Sequence, residues 1–159
     1  MSRWEAPSSP WLKVNTDATF SKLINGIDLG MVIRGSMRKV ILSALYKMER
    51  TETILHAEMM AIRLGIQLAT DRSYDCLVIE SDSILAISLI ERGIHVGGWE
   101  FSFDILDMAI RCEICKLKHF NKEANSLAHQ ITKTNGRVGH LEIWDGSLPV
   151  NEITKNKSS

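Results

Sequence analysis

Residues 11–20 of the chain, WLKVNTDATF, are typical of the central strand of an α/β domain, except that Asp17 lies in the middle of them. Side chains of a strand point alternately to its two faces. One face takes the residues that can enter a core, which are Leu12, Val14, Thr16, Ala18 and Phe20. Asp17 lies on the other face, where it is either solvated, as lone aspartates usually are, or one of several carboxylates around a metal ion.

The composition predicts a single globular domain. The chain has 159 residues, of which 45% are hydrophobic and 24% charged, and this length is enough for one substantial core. No apolar run is long enough to span a bilayer, and the first ten residues lack the apolar block of a signal peptide. We therefore expect an intracellular monomer without a membrane partner, and the sequence leaves nucleus or cytoplasm open.

The cysteines indicate packing rather than a metal site. There are three, an odd number without an export signal, which favours reduced thiols. Cys112 and Cys115 form a CxxC pair, but the chain has no second pair to complete a zinc site.

The net charge of zero conceals an uneven distribution of charge along the chain. Residues 1–50 contain eight Lys and Arg against four acids, whereas residues 51–110 contain three against ten. This asymmetry fits an acidic metal site flanked by basic surface that holds a substrate. It equally fits helices whose outer faces are solvated by charge.

The period of the apolar residues changes from two to about 3.6 at Thr53, which is the predicted N-cap of a helix. Before it, residues 30–35 and 39–47 predict two strands that form an antiparallel meander with residues 11–20. After it, the predicted order is helix, strand, helix, helix, strand and helix, at residues 54–72, 76–81, 83–93, 101–111, 114–120 and 123–134.

These elements predict an α/β fold with a five-stranded mixed sheet. Strands four and five are expected to run parallel to strand one, with helices on both faces. The domain is predicted to span residues 11–134. Residues 1–10 are expected to form an irregular lead-in, and residues 135–159 a C-terminal tail that is poorly ordered beyond about Trp144.

Two further acids occupy positions of interest. Glu58 lies between Ile54 and Ile62 in an apolar stripe of the first predicted helix, where an unpaired charge costs several kcal/mol. It therefore needs a cation or access to a cleft. Asp82 follows a buried strand, where α/β proteins place their sites, but a role as helix N-cap explains it equally well.

Five motifs occur in an order that resembles the plant ribonuclease H-like domains related to retroelement ribonucleases H. They are WEAP with WLKVNTDATF at 4–7 and 11–20, GMVIR at 30–34, AEMMAI at 57–62, ESDS at 80–83 and HFNKEANSLAH at 119–129. Each motif is weak alone, but their joint order is specific and covers residues 4–133. Proofreading exonucleases have a second acid where this chain has Thr19, and integrases carry their glutamate last.

The resemblance implies a ribonuclease H-like fold in which Asp17, Glu58 and Asp82 are the catalytic carboxylates and bind divalent metal. Oxygen ligands favour Mg²⁺, with Mn²⁺ as the substitute. The convergence of three carboxylates requires such an ion, because two unit charges about 4 Å apart repel by roughly 4 kcal/mol at an effective dielectric constant of about 20. The implied reaction is hydrolysis of the RNA strand of an RNA–DNA hybrid.

Four further residues are predicted to contact the nucleic acid. Asn15 and Thr16 precede the first acid, and Lys122 and Asn125 belong to the last motif. Selection of an RNA strand paired with DNA is expected to come from contacts with 2′-hydroxyl groups across the minor groove.

The chain also departs from the family pattern. Many members carry a fourth aspartate on the last helix, where this chain has His129, although histidine is also common there in the plant branch. His129 is therefore predicted as the fourth catalytic residue, and activity is expected to be weaker, because imidazole prefers softer metals than Mg²⁺. Ala18 replaces the usual glycine, Lys122 replaces the usual arginine, and no separate basic protrusion for gripping a hybrid is visible.

Three functions are open at this point. The three acids favour a metal-dependent endonuclease. The histidine and the missing protrusion favour a nucleic-acid-binding module of the same fold with little or no catalytic activity. The third is a domesticated interaction domain whose binding surfaces the sequence does not reveal.

Overall fold

The computed structural model describes residues 3–21, 25–49, 53–92 and 114–149. Its elements in chain order are β1 (Leu12–Phe20), β2 (Gly26–Arg34), β3 (Val40–Glu49), α1 (Ile54–Asp71), β4 (Cys76–Ser81), α2 (Ile84–Arg92), β5 (Ile114–His119), α3 (Ser126–Thr132) and β6 (Leu141–Asp145). The strands form one mixed sheet in the order β5-β4-β1-β2-β3-β6. β1 to β3 are antiparallel, while β4 runs parallel to β1 and β5 runs parallel to β4. The predicted α/β class and strand directions are confirmed.

The sheet has six strands, so the predicted number of five is wrong. The sixth, β6, pairs antiparallel with β3 and lies in the segment expected to be an irregular tail. Its side chains alternate only between exposed and half-buried, because it is an edge strand; its Trp144 packs against the cluster of Ala128 and Ile131 in the last helix. Such a short and weakly apolar segment cannot be distinguished from a turn by its sequence.

α1 packs on one face of the sheet and forms most of the core with it. Ile62 and Ile66 of α1 are fully buried in one cluster with Val14 of β1 and Ile79 of β4. The helix approaches closely because Gly65 faces β1, where an added Cβ would lie 2.9 Å from the Cγ1 atom of Val14. The face of Asp17 is therefore turned away from this core.

α3 packs on the opposite face, over β1, β2 and β3. Its buried residues Ala128 and Ile131 meet Val32 and Leu45 of the sheet. α3 begins three residues later than the predicted helix at 123–134. Residues 122–125 form a turn instead, and there the backbone N–H of Ala124 donates to the side-chain oxygen of Asn121 at 3.1 Å.

Some predictions fall outside the described residues, namely the helix at residues 101–111 and the thiol group of Cys112. Within the described ranges, no helix is both long enough and apolar enough to cross a membrane.

Candidate metal centre

Three carboxylates from three different elements converge at one end of the sheet. Asp17 lies in β1, Glu58 in the second turn of α1, and Asp82 directly after β4. One oxygen from each lies within 4.8 Å of the others. The strand register explains the pairing of the two aspartates: Thr16 is opposite Ser81 in the parallel pair, so the next residues, Asp17 and Asp82, are side by side.

The N-terminus of α1 fixes the position of Glu58. The helix starts at Ile54 because the hydroxyl group of Thr53 accepts a hydrogen bond from the backbone N–H of His56 at 3.3 Å, as predicted for an N-cap. Glu58 is only 7% exposed, and within the described part of the chain its Oε2 atom has no hydrogen-bond partner. A buried, unpaired carboxylate oxygen is costly, so Glu58 fits a site for a cation.

Asp82 is not the cap of α2. The hydroxyl group of Ser83 accepts a hydrogen bond from the backbone N–H of Ala86 at 3.2 Å. The hydroxyl group of Ser81 accepts one from the backbone N–H of Ser83 at 3.1 Å. Because serines perform the capping, the carboxylate of Asp82 is turned to the acidic cluster instead. This removes the simpler explanation that the sequence allowed.

The three carboxyl groups resist ionisation together. Burial raises the pKa of Glu58 to about 9, and the charges of Asp17 and Asp82 add to the shift. Burial also raises the pKa of Asp17 to about 6, against the opposing hydrogen bond with His129. The pKa of Asp82 is raised by burial too, while Lys122 opposes the shift. Mutual repulsion in a buried cluster is relieved by a bound cation, so these residues fit a divalent metal.

The donor set fits a hard cation. Three carboxylates offer only oxygen atoms, which Mg²⁺ and Mn²⁺ prefer over nitrogen and sulfur. The cluster opens into a cavity of about 380 Å³, which is also lined by Lys122, Ser126 and His129. The cavity gives an ion and a phosphate group access to the carboxylates.

His129 lies over the cluster from α3. Its Nδ1 atom is 2.8 Å from Oδ2 of Asp17, and its side chain is 47% exposed. When Asp17 is ionised, the ring nitrogen donates the hydrogen bond. The residue predicted as the fourth catalytic group therefore binds the first acid directly.

Of the four residues predicted to contact nucleic acid, Lys122 is exposed beside the cavity, whereas Asn15, Thr16 and Asn125 are at most 1% exposed. The side chain of Asn125 donates to the backbone oxygen of Thr16 at 2.7 Å, and Asn15 donates to Asn125 at 3.1 Å. These contacts tie the start of α3 to β1 next to Asp17. Contact of Asn15, Thr16 and Asn125 with nucleic acid stays a prediction, and the burial of these three residues disfavours it.

Sequence reasoning missed a buried ionic network behind the cluster. Glu80 is fully buried in β4, accepts a hydrogen bond from Asn15 at 3.1 Å and pairs with Lys13 at 3.5 Å. Arg34 donates to Asn15 at 3.2 Å. A signal was present in the sequence, since Glu80 interrupts an apolar strand, but its partners lie in other strands.

A model of the reverse transcriptase-like family matches residues 15–135, which is more than half of the chain. The chain belongs to the reverse transcriptase-like family. The match includes all four residues of the candidate centre and ends just after α3. The closer assignment of this family member to a plant or retroelement branch stays a prediction. A comparison with curated proteins finds no match.

Solved ribonucleases H have the same fold as this reverse transcriptase-like chain. RNase H1 from the archaeon Halobacterium salinarum superposes with a TM-score of 0.66 at 14% identity, over 75% of this chain and 92% of that one. The N-terminal RNase H domain of a Mycobacterium tuberculosis protein gives 0.65 at 14% identity, over 74% and 87%. LC11-RNase H1, isolated from compost and solved with an RNA/DNA hybrid, gives 0.63 at 16% identity, over 74% and 91%. The predicted ribonuclease H-like fold is confirmed.

Proposed function

We propose that this protein is a divalent-metal-dependent endonuclease that hydrolyses the RNA strand of RNA–DNA hybrids. The observation that carries the proposal is the convergence of Asp17, Glu58 and Asp82, with ligand oxygens within 4.8 Å, in a chain of this family. Two solved proteins of similar fold, LC11-RNase H1 and the foamy viral protease-reverse transcriptase, are complexes with RNA/DNA hybrid. Their ligand supports the choice of substrate.

The three carboxylates would hold Mg²⁺, or Mn²⁺ as its substitute. A bound divalent ion would supply the positive charge that stabilises the attacking and leaving oxygens of a phosphodiester. Lys122 is exposed at the cavity, where its ammonium group would attract the phosphate. Asn125 would act as a positioning residue, because it anchors the start of α3, which carries His129, to the strand of Asp17.

The test is cleavage of a labelled hybrid by the purified protein in Mg²⁺ and, separately, in Mn²⁺. We expect products from the RNA strand in both, with the faster reaction in Mn²⁺. Asp17→Asn is expected to abolish cleavage, because it removes the charge of the most buried carboxylate of the centre. A wild-type protein that leaves the hybrid intact with either ion would overturn the proposal.

One observation favours the alternative of a nucleic-acid-binding module with little or no catalytic activity. His129 holds an oxygen of Asp17 at 2.8 Å, and that oxygen can bind an ion only after the ring moves. In this case the hybrid binds but is not cut in Mg²⁺ or Mn²⁺. The same protein samples, assayed for hybrid binding by fluorescence anisotropy, separate the two functions.

A further inference from the structure

A basic surface extends from the carboxylate cluster along the face of the sheet that carries Asp17. α3 covers β1, β2 and β3 on this face. Beyond it, the pairing of Val78 with Lys116 and of Glu80 with Lys118 turns both lysines to the side of Lys13 and Asn15. Lys116 and Lys118 are exposed.

Aromatic rings hold the cations of this surface in place. Three cations surround the ring of Trp4. The guanidinium carbon of Arg34 lies 3.9 Å from the ring centre, the ammonium nitrogen of Lys13 lies 5.7 Å from it, and the guanidinium carbon of Arg38 lies 5.8 Å from it. These distances are within the range of cation–π attraction. All three cations are therefore gathered around one ring of the lead-in.

Two more rings extend the arrangement along β5. Lys116 lies 4.7 Å from the ring centre of Trp11, and Lys13 lies 5.5 Å from that of Phe120. Trp4, Trp11 and Phe120 are each partly exposed. We call the exposed cations Arg38, Lys116, Lys118 and Lys122, together with these three rings, the basic strip.

Within the part of the chain that the structure describes, the two acids beside the rings of the basic strip, Glu80 and Glu5, do not neutralise it. Glu80 is fully buried beneath it and is already paired with Lys13. Glu5 is exposed, and its backbone oxygen accepts a hydrogen bond from Lys13 at 2.6 Å. Because the chain has no net charge, the strip is a local concentration of positive charge and not a consequence of a basic composition.

The basic strip is continuous with the candidate metal centre. The backbone N–H of Phe120 donates to the backbone oxygen of Ser81 at 2.8 Å, one residue before Asp82. Lys122 follows and lines the cavity of the carboxylates. A polymer bound at the cavity therefore meets the strip directly.

We infer that the basic strip binds a single strand of nucleic acid that extends from the duplex held at the metal centre. Positive side chains interleaved with partly exposed aromatic rings are the arrangement by which proteins bind single strands without sequence preference. The inference rests on the proposed function for the identity of the bound polymer. It adds a second contact region to a chain that lacks a visible basic protrusion in its sequence.

The test uses two charge-reversal variants with equal changes of charge. Lys116→Glu with Lys118→Glu alters the strip, and Arg92→Glu with Arg137→Glu alters two exposed arginines outside it. A labelled single-stranded 15-nucleotide DNA is titrated with each full-length protein in EDTA, over a series of salt concentrations. Thermal unfolding verifies that each variant is folded.

We expect the strip variant to bind the single strand at least tenfold more weakly than wild type, and the control variant to lose less than threefold. The slope of log affinity against log salt should become shallower by roughly 1.4 in the strip variant, since each lost phosphate contact on a single strand contributes about 0.7. Equal weakening in the two variants, or binding only of a blunt duplex hybrid, would overturn the inference.

Cleavage of the blunt hybrid in Mn²⁺ is measured with the same proteins. If the wild-type protein cleaves the hybrid but binds no single strand, only the inference about the basic strip is contradicted. If the wild-type protein binds the single strand through the basic strip but does not cleave the hybrid, only the proposed endonuclease function is contradicted.

Discussion

At the scale of single residues, the contact between His129 and Asp17 bears directly on the proposed metal binding. An aspartate at position 129 would offer an oxygen in place of the ring nitrogen, and nitrogen is a poorer ligand for Mg²⁺ than for Mn²⁺. His129→Asp is therefore expected to raise cleavage in Mg²⁺ by roughly tenfold, equal to about 1.4 kcal/mol of barrier. The measurement is the cleavage rate of a labelled hybrid for both proteins in each ion.

Two controls complete this prediction. Asp17→Asn in the His129→Asp background should abolish the gain, because the first acid is needed in both proteins. Equal rates of wild type and His129→Asp in Mg²⁺ would show that three acids suffice and that His129 is a bystander.

Because the pKa of Glu58 is raised to about 9, the stability of the metal-free protein is expected to depend on pH. The folded state holds a proton that the unfolded state releases near the ordinary value of 4.5, so stability falls as pH rises between these values. Glu58→Gln removes this titration. Its stability relative to wild type should rise with pH above about 5, by up to roughly 1.4 kcal/mol per pH unit.

This change is measured by thermal unfolding in EDTA at pH 5, 6, 7 and 8. Glu123→Gln, at an exposed position outside the cavity, is the matched control and should leave the melting temperature close to that of wild type. A difference between Glu58→Gln and wild type that does not grow with pH would contradict the interpretation of Glu58 as a protonated, buried acid.

Periodicity drew attention to the three acids but left Asp17 and Asp82 with simpler explanations, and the resemblance to ribonuclease H-like domains joined them into one predicted site. Glu58 interrupts an apolar helix stripe, and Asp82 ends a buried strand. The pairing of Lys13 with Glu80 could not be predicted in this way. Its two partners are distant in the chain and meet only when the register of β1 and β4 is fixed.

At the scale of elements, the position of α3 depends on Gly30. An added Cβ there would lie 2.7 Å from the backbone oxygen of Ala128 and 2.9 Å from the Cγ2 atom of Thr132. Gly30 is also paired with Asp17 across β1 and β2. The missing side chain therefore lets α3 lie close enough to the sheet for His129 to reach Asp17.

Gly30→Ala is expected to push α3 outward and to destabilise the protein by about 1–3 kcal/mol, as overpacking usually does. Gly35→Ala is the matched control, because its new Cβ meets only the ends of flexible side chains, the nearest at 3.2 Å. Chemical denaturation measures both. Equal losses of stability would contradict the role of Gly30 as the spacer beneath α3.

Boundaries were predicted less well than the existence of elements. β2 begins at Gly26 rather than residue 30, because pairing with β1 and β3 continues through Asp28. The alternation of its side chains gives no sign of this, since nearly all residues of β2 are buried on both faces. Pairing with the neighbouring strands therefore sets the start of β2, and the local pattern of apolar residues does not.

At the scale of the whole molecule, the fold separates charges that are mixed in the sequence. The acids of β1, α1 and the end of β4 gather in one cluster, and cations of β1, β2 and β5 gather on one face beside it. The acidic middle and basic beginning of the chain already indicated this division. Its geometry required the sheet order, which places β4 between β1 and β5.

β6 covers the edge of the sheet that β3 would otherwise expose. β6 pairs with β3 along five positions, and Trp144 of β6 packs near the cluster that seats α3. A chain ended at residue 134 would leave the hydrogen-bonding groups of β3 open, and open edges recruit other chains. We expect that protein to self-associate as its concentration rises, while a chain ended at residue 149 stays dispersed, as measured by light scattering. The strand that keeps copies apart would then also support the helix of His129, because Trp144 packs against the cluster that holds Ala128 and Ile131 of α3.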